Sequence, residues 1–438
     1  MNGANLSIAD RLCPAGVGDD LHRFAAEIYP ICRSITGAGV RATLDQIERL
    51  TPLTRTEIPT GEAVLDWTIP KEWTIRDAYI ADAAGKRVVD FKVHNLHVMN
   101  YSAPVRARMS LAALRPHIFT LPHQPDLIPY RTSYYAERWG FCMSHNALEA
   151  LEDGEYEVCI DSELSQGSLT YAERVHAGER DDEILLQAHI CHPSLANDNC
   201  SGLSLLAQLA AAMAPIKTRY TYRFLFAPGT IGAIAWLARN EARANKIKHG
   251  LVLSCVGDGG GPTYKRTRRG DAPIDKAMTH VLRHAAPAAN IIDFSPYGYD
   301  ERQYNSPGFK LDVGLFQRSL FASFPEYHTS ADNPDFIKSE HLESSLRMIA
   351  RAIEILERDG VYQNTLPKGE PQLGKRGLYQ SVGGDSASYD RNMAMLWVLN
   401  QSDGEHSLLD IAERSGIAFS AIAETADALR EAGLLRSA

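Results

Sequence analysis

The fold is decided by the stretch LLQAHICHPSLANDNCSG, which occupies residues 185–202. It begins as an apolar run that ends at His189, continues through polar residues around Asp198, and opens a long apolar helix at Gly202. A buried parallel strand that ends in polar residues just before a helix is where open α/β sheets bind their ligands. Histidine and aspartate also bind zinc through nitrogen and oxygen. The stretch therefore predicts an α/β sheet with a candidate metal site at this strand end.

Strands alternate with helices on both sides of this stretch, between residues 155 and 365. That order is typical of a mostly parallel sheet sandwiched by helices. The strand-like runs are 156–161, 184–188, 222–227, 250–256 and 311–316, and the helical runs are 202–214, 231–245, 274–286 and 341–358.

Two further units are predicted in the same chain. From about residue 55 to 125, short β-like runs separated by turns predict a small β-rich domain inserted into the α/β domain. After a polar stretch that contains proline and glycine, a helix–turn–helix pattern with a terminal strand predicts a winged-helix domain. The expected divisions are N-terminal helices of the α/β domain at 1–55, the inserted domain at 56–125, the metal-binding α/β domain at 126–368 and the winged helix at 369–438.

The composition predicts a cytoplasmic protein that does not contact a membrane. No apolar run reaches about 18 residues, and the N-terminal sequence lacks the basic and apolar regions of a secretion signal. The seven cysteines are odd in number and scattered, which is typical of reduced thiols. Assembly into a homo-oligomer stays open.

Charge argues against nucleic acid as the main partner. The formal net charge is −9, and winged helices that bind DNA place their third helix on it. Residues 376–438, however, carry five Lys/Arg against nine Asp/Glu, and this acidic excess repels phosphate. A role in protein contacts or packing is therefore favoured for this domain.

Three residues near predicted strand ends are candidate metal ligands. They are His189, Asp198 and His328, the last within FPEYHTSADN at 324–333. Neutral imidazoles and a carboxylate bind zinc at about 2.0–2.2 Å. Zinc with an open position activates water or polarises a carbonyl. Each histidine alone is more often structural, but the three together on an α/β pattern predict a metal site.

Several strings resemble a known group of proteins. ANDNCSG at 196–202 resembles the metal-bridging aspartate motif of co-catalytic zinc aminopeptidases, and YHTSAD at 327–332 resembles their late histidine motif. Over nearly its whole length the chain is similar to a bacterial aminopeptidase-like family often found near polysaccharide-biosynthesis genes. That family combines an aminopeptidase-like α/β domain, an inserted small domain and a C-terminal winged helix. The strings that carry this resemblance are RSITG (33–37), WTIPKEW (67–73), TSYYAERWGFC (132–142), ICHPSLANDN (190–199), DERQY (300–304) and FPEYHTSADN (324–333).

The resemblance implies roles for the candidate ligands. His189 would be the first metal ligand, Asp198 the bridging or central one, and His328 the third. His192 is an alternative ligand, because the loop between His189 and Asp198 is shorter than in the aminopeptidases proper.

The chain departs from the aminopeptidases at three positions. Cys191 stands where they have an aspartate that orients the histidine. Gly229 and Thr230 stand where they have adjacent glutamates, a general base and a metal ligand. Asp258 is displaced from the position of their later ligand aspartate, near residue 254. One zinc ion is therefore expected rather than two, and a base that contributes about 10²–10⁴ in rate is missing.

Three explanations for the missing base stay open. Another acid could replace it, and the candidate catalytic residues are Glu326, Glu301 and Asp258, with Asp300 as a further choice. The site could instead perform chemistry that needs only polarisation of a carbonyl. Gly229 could also be a substitution introduced to silence turnover.

Candidate substrate contacts come from two segments. In DERQY, Arg302 would bind a carboxylate through two parallel hydrogen bonds, and Asp300 or Glu301 would bind an ammonium group, unless the loop is merely solvated. Tyr134 and Tyr135 lie in an aromatic segment that forms either a wall of the substrate pocket or a packing seam between domains.

These observations predict a zinc-dependent, aminopeptidase-like enzyme that acts on an amide or on a small aminoacyl or peptidyl substrate. One alternative is a non-hydrolytic metal-dependent enzyme that catalyses acyl transfer, cyclisation or elimination. The other is an aminopeptidase-fold binding protein without catalytic activity. Metal content separates the enzymes from the binding protein, because a pure scaffold has no use for a His–Asp–His metal set.

Overall fold

The computed structural model describes residues 6–286, 288–378 and 386–438. Parts of the predicted N-terminal segment (1–5) and winged-helix segment (379–385) lie outside these ranges. The helices are α1 Ile8–Leu12, α2 Val17–Ile28, α3 Ala38–Glu48, α4 Leu111–Leu114, α5 His145–Glu149, α6 Gly202–Met213, α7 Ile231–Arg239, α8 Glu241–Ala244, α9 Pro273–Ala285, α10 Glu301–Tyr304, α11 Ser339–Arg358, α12 Ser386–Gln401, α13 Leu408–Ser415 and α14 Phe419–Glu431. The strands are β1 Thr54–Pro59, β2 Ala63–Val64, β3 Trp67–Thr68, β4 Glu72–Ala81, β5 Arg87–Asp90, β6 Val105–Ser110, β7 Ile118–Phe119, β8 Phe141–Cys142, β9 Glu155–Ser165, β10 Ser168–His176, β11 Glu183–His189, β12 Thr221–Ala227, β13 Ile247–Leu253, β14 Thr263–Lys265, β15 Asn290–Ile292, β16 Val313–Gln317, β17 Val361–Asn364, β18 Asp403–Ser407 and β19 Leu435–Ser437.

The main sheet has eight strands in the order β1-β10-β12-β11-β13-β16-β14-β15. Its central strands β12, β11, β13 and β16 run parallel, and β11 is buried along its whole length. A parallel strand covered on both faces has a nearly continuous apolar sequence, as β11 does. Helix α6 packs against β10, β11 and β12, and α7 packs against β10. The predicted α/β fold is therefore confirmed.

The connection from β11 to α6 positions the candidate ligands. β11 ends at His189, a helical turn follows at Ala196–Ser201, and α6 begins at Gly202. A Cβ atom at position 202 would lie only 2.7 Å from the carbonyl oxygen of Leu253. Glycine is therefore required where this connection passes the end of β13.

A second, antiparallel sheet has the order β5-β4-β9-β6. The limits of the β-rich region that contains this sheet differ from the predicted limits of 56–125 at both ends. β1 pairs with β10 at the edge of the main sheet, and β9, in the interior of the small sheet, lies at Glu155–Ser165. The sequence assigned that run to the main sheet. A strand's own alternation of buried and exposed residues does not reveal which distant strand it pairs with.

The chain divides into two compact units. One comprises Asp10–Ala272 and Ala288–Arg347, and the other comprises the described residues of Met1–Ala9, Pro273–Pro287 and Met348–Ala438. In the second unit β17 pairs with both β18 and β19. The winged-helix sheet therefore begins at residue 361, before the predicted limit of 369. The difference arises because β17 follows α11 almost directly and pairs only with strands far downstream.

Helix α9 also belongs to the second unit. His280 on α9 bonds through Nδ1 to the carboxylate of Glu413 at 2.6 Å, and its Nε2 accepts a hydrogen bond from the backbone nitrogen of Phe419 at 3.0 Å. The sequence placed this helix in the α/β domain, because its apolar spacing alone does not say which partner it covers.

Within the described ranges, no helix is long and apolar enough to cross a membrane.

A buried ion-pair cluster joins three strands of the main sheet. Arg223 on β12 has a fully buried side chain and donates to both oxygens of Glu183 at 2.7 and 3.0 Å. It also pairs with Glu173 on β10, which accepts a further hydrogen bond from Trp236 at 2.8 Å. Removing one partner of a buried ion pair leaves an uncompensated charge, at a cost of about 3–5 kcal/mol.

The variant Arg223→Met is therefore expected to lower the free energy of unfolding by about 3–5 kcal/mol, measured by chemical denaturation. The matched control is Arg49→Met, which removes an exposed arginine paired with Glu27, and it should leave the unfolding midpoint nearly unchanged. Equal midpoints for the two variants would show that the cluster contributes nothing to stability.

Candidate metal centre

Three histidines surround the carboxylate of Asp198. Nε2 of His189 lies 2.8 Å from Oδ1 of Asp198, and Nε2 of His328 lies 3.1 Å from Oδ2. Nε2 of His192 lies 4.0 Å from the same Oδ2. Asp198, His189 and His192 are buried, whereas the side chain of His328 is one-third exposed. The fold thus brings together the three predicted ligands and the alternative one.

Among the described residues, His189, His192 and Asp198 form a group whose ligand atoms all lie within 4.8 Å of one another. His328 approaches the same carboxylate from its other oxygen. Two imidazole nitrogens and a carboxylate oxygen at this spacing form a donor set that suits zinc. The residues present therefore fit a single divalent cation, with His192 closer to the centre than the sequence suggested.

The protonation states also suit a cation. Burial opposes ionisation of Asp198, but the neighbouring imidazole of His192 and the hydrogen bonds from His189 and His328 outweigh it and hold the pKa of this carboxyl well below its usual range. Burial also lowers the pKa of His192 well below that of a free imidazole. A carboxylate and a neutral imidazole are the forms that bind metal ions.

A layer of hydrogen bonds holds the turn that carries Asp198. Asp332 accepts the backbone N–H groups of Asn197 and Asp198 at 2.5 and 3.0 Å, while burial raises the pKa of Asp332 to about 8. Asn199 donates to the carbonyl of Leu253 at 3.0 Å. Its amide nitrogen also lies 3.3 Å from Nδ1 of His189.

Aromatic side chains enclose the histidines. The ring of Tyr130 lies 5.2 Å from that of His192 and 5.0 Å from that of His328. Tyr327 stacks on His328 at 3.9 Å between ring centroids. Tyr299 lies 4.2 Å from the ring of His189. Such walls exclude water and lower the local dielectric constant, which strengthens electrostatic interactions within the site.

Tyr299 also fills the space beside Gly229. A Cβ atom built on Gly229 would lie 2.6 Å from the hydroxyl oxygen of Tyr299 and still closer to the ring. The hydroxyl contacts Sγ of Cys191 at 3.4 Å. The position where aminopeptidases carry their general base, by the resemblance above, is thus occupied by a phenol from a distant loop.

Two of the predicted catalytic acids are bound to other groups. Asp258 accepts hydrogen bonds from Asn197 at 2.8 Å and from the hydroxyl of Ser319 at 2.6 Å. Glu301 is fully buried and pairs with Lys265 at 2.8 Å. Both carboxylates thus hold structure around the site.

Glu326, the third candidate, lies two residues before His328 and is partly exposed. Its backbone oxygen accepts from Thr329, while its carboxylate has no partner among the described residues. Of the three predicted acids it is the one whose carboxylate is free.

The structure separates the predicted substrate contacts. Asp300 is fully buried, and one of its oxygens accepts from Gln187 at 2.5 Å. Its other oxygen, Oδ1, is buried without a partner among the described residues. Burial and the charge of Glu301 raise the pKa of Asp300 well above its usual value. Arg302 is exposed to solvent.

The two predicted tyrosines also differ. The hydroxyl of Tyr134 lies 2.9 Å from that of Tyr130. Tyr130 in turn packs against His192 and His328. Tyr135 is half exposed and packs against Trp67 at 5.3 Å between ring centroids. Tyr134 is therefore the one whose contacts lead to the site.

Sequence reasoning missed Tyr299 and Asp332 as parts of the site. Asp332 lies inside the FPEYHTSADN string, so its position next to His328 was a usable signal. Tyr299 precedes DERQY by one residue, and nothing in the sequence indicated that its ring reaches Gly229.

The α/β fold resembles that of aminopeptidases of known structure. A zinc aminopeptidase from Bacillus subtilis has a TM-score of 0.58 at 12% identity, over 79% of this chain and 94% of that one. A peptidase M28 precursor from Shewanella amazonensis has a TM-score of 0.57 at 12% identity, over 80% of this chain and 95% of that one. At such low identity the likeness concerns the fold alone.

The chain belongs to the family described as Domain of unknown function (DUF4910), which matches residues 22–359, and a winged helix-turn-helix model matches 360–437. A Clostridium acetobutylicum protein is 50% identical over 419 residues, or 96% of each chain. Its provisional name is polysaccharide biosynthesis protein with aminopeptidase-like domain. A crystal structure from the same organism, provisionally named a peptidase, has a TM-score of 0.93 at 48% identity over 98% of each chain. The resemblance drawn from the sequence is confirmed.

Proposed function

We propose that this protein is a zinc-dependent enzyme that acts on the amide bond of a small aminoacyl or peptidyl compound. The observation that carries the proposal is the buried carboxylate of Asp198, which has the Nε2 atoms of His189 and His328 on its two oxygens and His192 beside them. An ionised carboxylate is costly to bury unless it is paired or binds a metal. Neutral imidazoles around it supply ligands for one cation.

Each group has a distinct role in this proposal. Asp198, His189 and His192 would hold the zinc ion, with His328 on the open side. A bound zinc ion would polarise the carbonyl of the amide. Tyr130 and Tyr327 exclude water from the imidazoles they contact. The Glu326 carboxylate, free of other partners, would accept the proton of the attacking water.

The relatives support the same reading. The zinc aminopeptidase of Bacillus subtilis shares the fold, and the Clostridium relative is named for an aminopeptidase-like domain and for polysaccharide biosynthesis. Acylated amino sugars contain amide bonds, so N-acyl amino sugars are worth testing beside aminoacyl amides as substrates.

Acyl transfer, cyclisation or elimination is the second candidate, and the position of Tyr299 favours it. Burial raises the pKa of Tyr299 well above that of a free phenol, so it keeps its proton at neutral pH. It can donate a hydrogen bond to an oxygen that gains negative charge, but it cannot take a proton from water as a carboxylate does. A site with Tyr299 in place of a base is suited to reactions in which the attacking group needs no activation by the protein.

The test combines metal analysis with a partition experiment. The purified full chain is expected to retain about one zinc per chain after dialysis. It should then convert aminoacyl 4-nitroanilides or N-acyl amino sugars in a reaction that chelators stop. Adding hydroxylamine as an acceptor separates hydrolysis from acyl transfer, because acyl transfer forms the hydroxamate at the expense of the free acid.

The control for this experiment is Asp77→Asn on the small sheet, whose carboxylate pairs with Arg87 far from the histidines in sequence. It should behave as the parent does. A purified chain that binds no divalent cation would overturn the enzyme proposal and leave the aminopeptidase-fold binding protein as the explanation.

We also propose that the protein works in the cytoplasm. All seven cysteines are free thiols, as expected where glutathione keeps thiols reduced. The acidic charge of the winged helix favours a protein partner over DNA, and absence of salt-dependent DNA binding would agree with this.

A further inference from the structure

Two arginines near the metal centre have no partner. The guanidinium groups of Arg131 and Arg138 make no hydrogen bond or ion pair with any described residue. Arginines of the small sheet behave differently: Arg76 pairs with Asp161 and Arg87 pairs with Asp77. Arg131 and Arg138 line the same cavity, so their guanidinium groups are available to an external anion that enters it.

Both arginines line cavities. The first cavity has a volume of about 720 Å³ and is lined by Tyr130, His328 and Arg131 among others. The second has a volume of about 890 Å³ and is lined by Arg131, Arg138 and Trp139 among others. Arg131 lines both, so the second cavity adjoins the first. The first in turn reaches the histidine group through His328.

The charges around these cavities have one sign. The described lining of the first contains no Asp or Glu. The lining of the second contains Glu137 alone, and Lys71 neutralises it at 2.7 Å. Aromatic groups supply the remaining walls, including Trp139, which stacks on His117 at 3.6 Å between ring centroids. A cavity with aromatic walls and two planar guanidinium groups recognises a carboxylate or a phosphate attached to an apolar or planar body.

We propose that the compound acted on at the Asp198 group carries a second, anionic part, a carboxylate or a phosphate, which Arg131 and Arg138 bind. This rests on the proposed function and deepens it, since it names the substrate class as an anionic aminoacyl or acylamino compound. The amide end lies in the first cavity beside His328, and the anionic end lies in the second. Two cavities of this size that share Arg131 as a lining residue accept a compound larger than one amino acid.

The experiment measures anion binding by metal-stripped, full-length protein. Removing the metal matters because anions also bind zinc. Pyrophosphate and succinate serve as probes of the two anion types, and calorimetry together with tryptophan fluorescence gives the affinity. The parent is expected to bind one of the probes, which identifies the anion. Arg131→Gln and Arg138→Gln should each weaken binding by about tenfold, and the double variant by more.

Two controls keep the outcome clear. Arg76→Gln removes an arginine that is already paired on the small sheet, and its affinity should equal that of the parent. The metal-stripped state is the second control: anion binding is measured without the cation, so a failure of the metal test leaves this inference standing and the two proposals are tested separately. No binding of either probe by the folded parent would overturn the inference. Unchanged affinity in the folded double variant would overturn it as well.

Discussion

Replacing Asp198 by asparagine is expected to abolish retention of divalent cations by the purified protein. The carboxylate is the one anionic group that both His189 and His328 contact. An amide removes its charge with little change in shape. Loss of an outer partner of a metal ligand costs about 10–100-fold in metal affinity, and loss of the central ligand should cost more. Metal content after dialysis, measured by elemental analysis, checks the result.

Variants of a neighbouring acid and of two histidines test this prediction further. Asp258→Asn removes a carboxylate that holds Asn197 but contacts none of the imidazoles, so it should weaken the metal without abolishing it. His192→Ala should reduce zinc retention at least as much as His328→Ala, because His192 lies within the tight group and His328 does not. If Asp198→Asn retains as much zinc as the parent, the cation binds elsewhere and the site described above is wrong.

The main strand and its ligand-bearing end could be predicted because the signals are local. β11 is an uninterrupted buried run, and a parallel strand covered on both faces has just this sequence. Gly202 and Pro215 bracket α6, and a polar loop joins the two elements. Since each of these features depends on neighbours in the chain, the sequence placed His189 and Asp198 at the carboxyl end of a sheet strand.

Pairing between distant strands could not be predicted in the same way. β9 has the alternation of any half-buried strand, and only its long register with β4 assigns it to the small sheet. β17 is four residues long, and it becomes part of the winged helix through β18 and β19. The register of a strand and the choice of its partner depend on three-dimensional packing. The local alternation of residues in a single sequence does not reveal either.

The ion pairs and hydrogen bonds that the buried acids form likewise could not be predicted from the sequence. Glu301 looked like a free acid, but Lys265, 36 residues away, pairs with it in the interior. Asp300 looked like an ammonium ligand, but it is buried against Gln187 on β11. Counting acids near a motif therefore overestimates the number available for catalysis, since a buried carboxylate must first satisfy its own hydrogen bonds.

The variant Gly229→Glu is expected to fail as a simple restoration of the aminopeptidase base. Even the first side-chain atom at this position would overlap the ring of Tyr299. Insertion of extra atoms into a packed site costs about 1–3 kcal/mol, so the unfolding midpoint should fall without a gain in hydrolysis. Gly229→Ala, which adds the same first atom without a carboxylate, should be destabilised to a similar degree and separates crowding from charge.

Removing the ring of Tyr299 should allow the Gly229→Glu carboxylate to increase hydrolysis. In Gly229→Glu combined with Tyr299→Ala, the new carboxylate occupies the space that the phenol leaves beside His189. A positioned general base contributes about 10²–10⁴ in rate. The double variant should therefore hydrolyse aminoacyl 4-nitroanilides faster than the parent by a factor in that range, whereas Tyr299→Ala alone should not. If Gly229→Glu alone is as stable as the parent and gains the same activity, Tyr299 does not block this position.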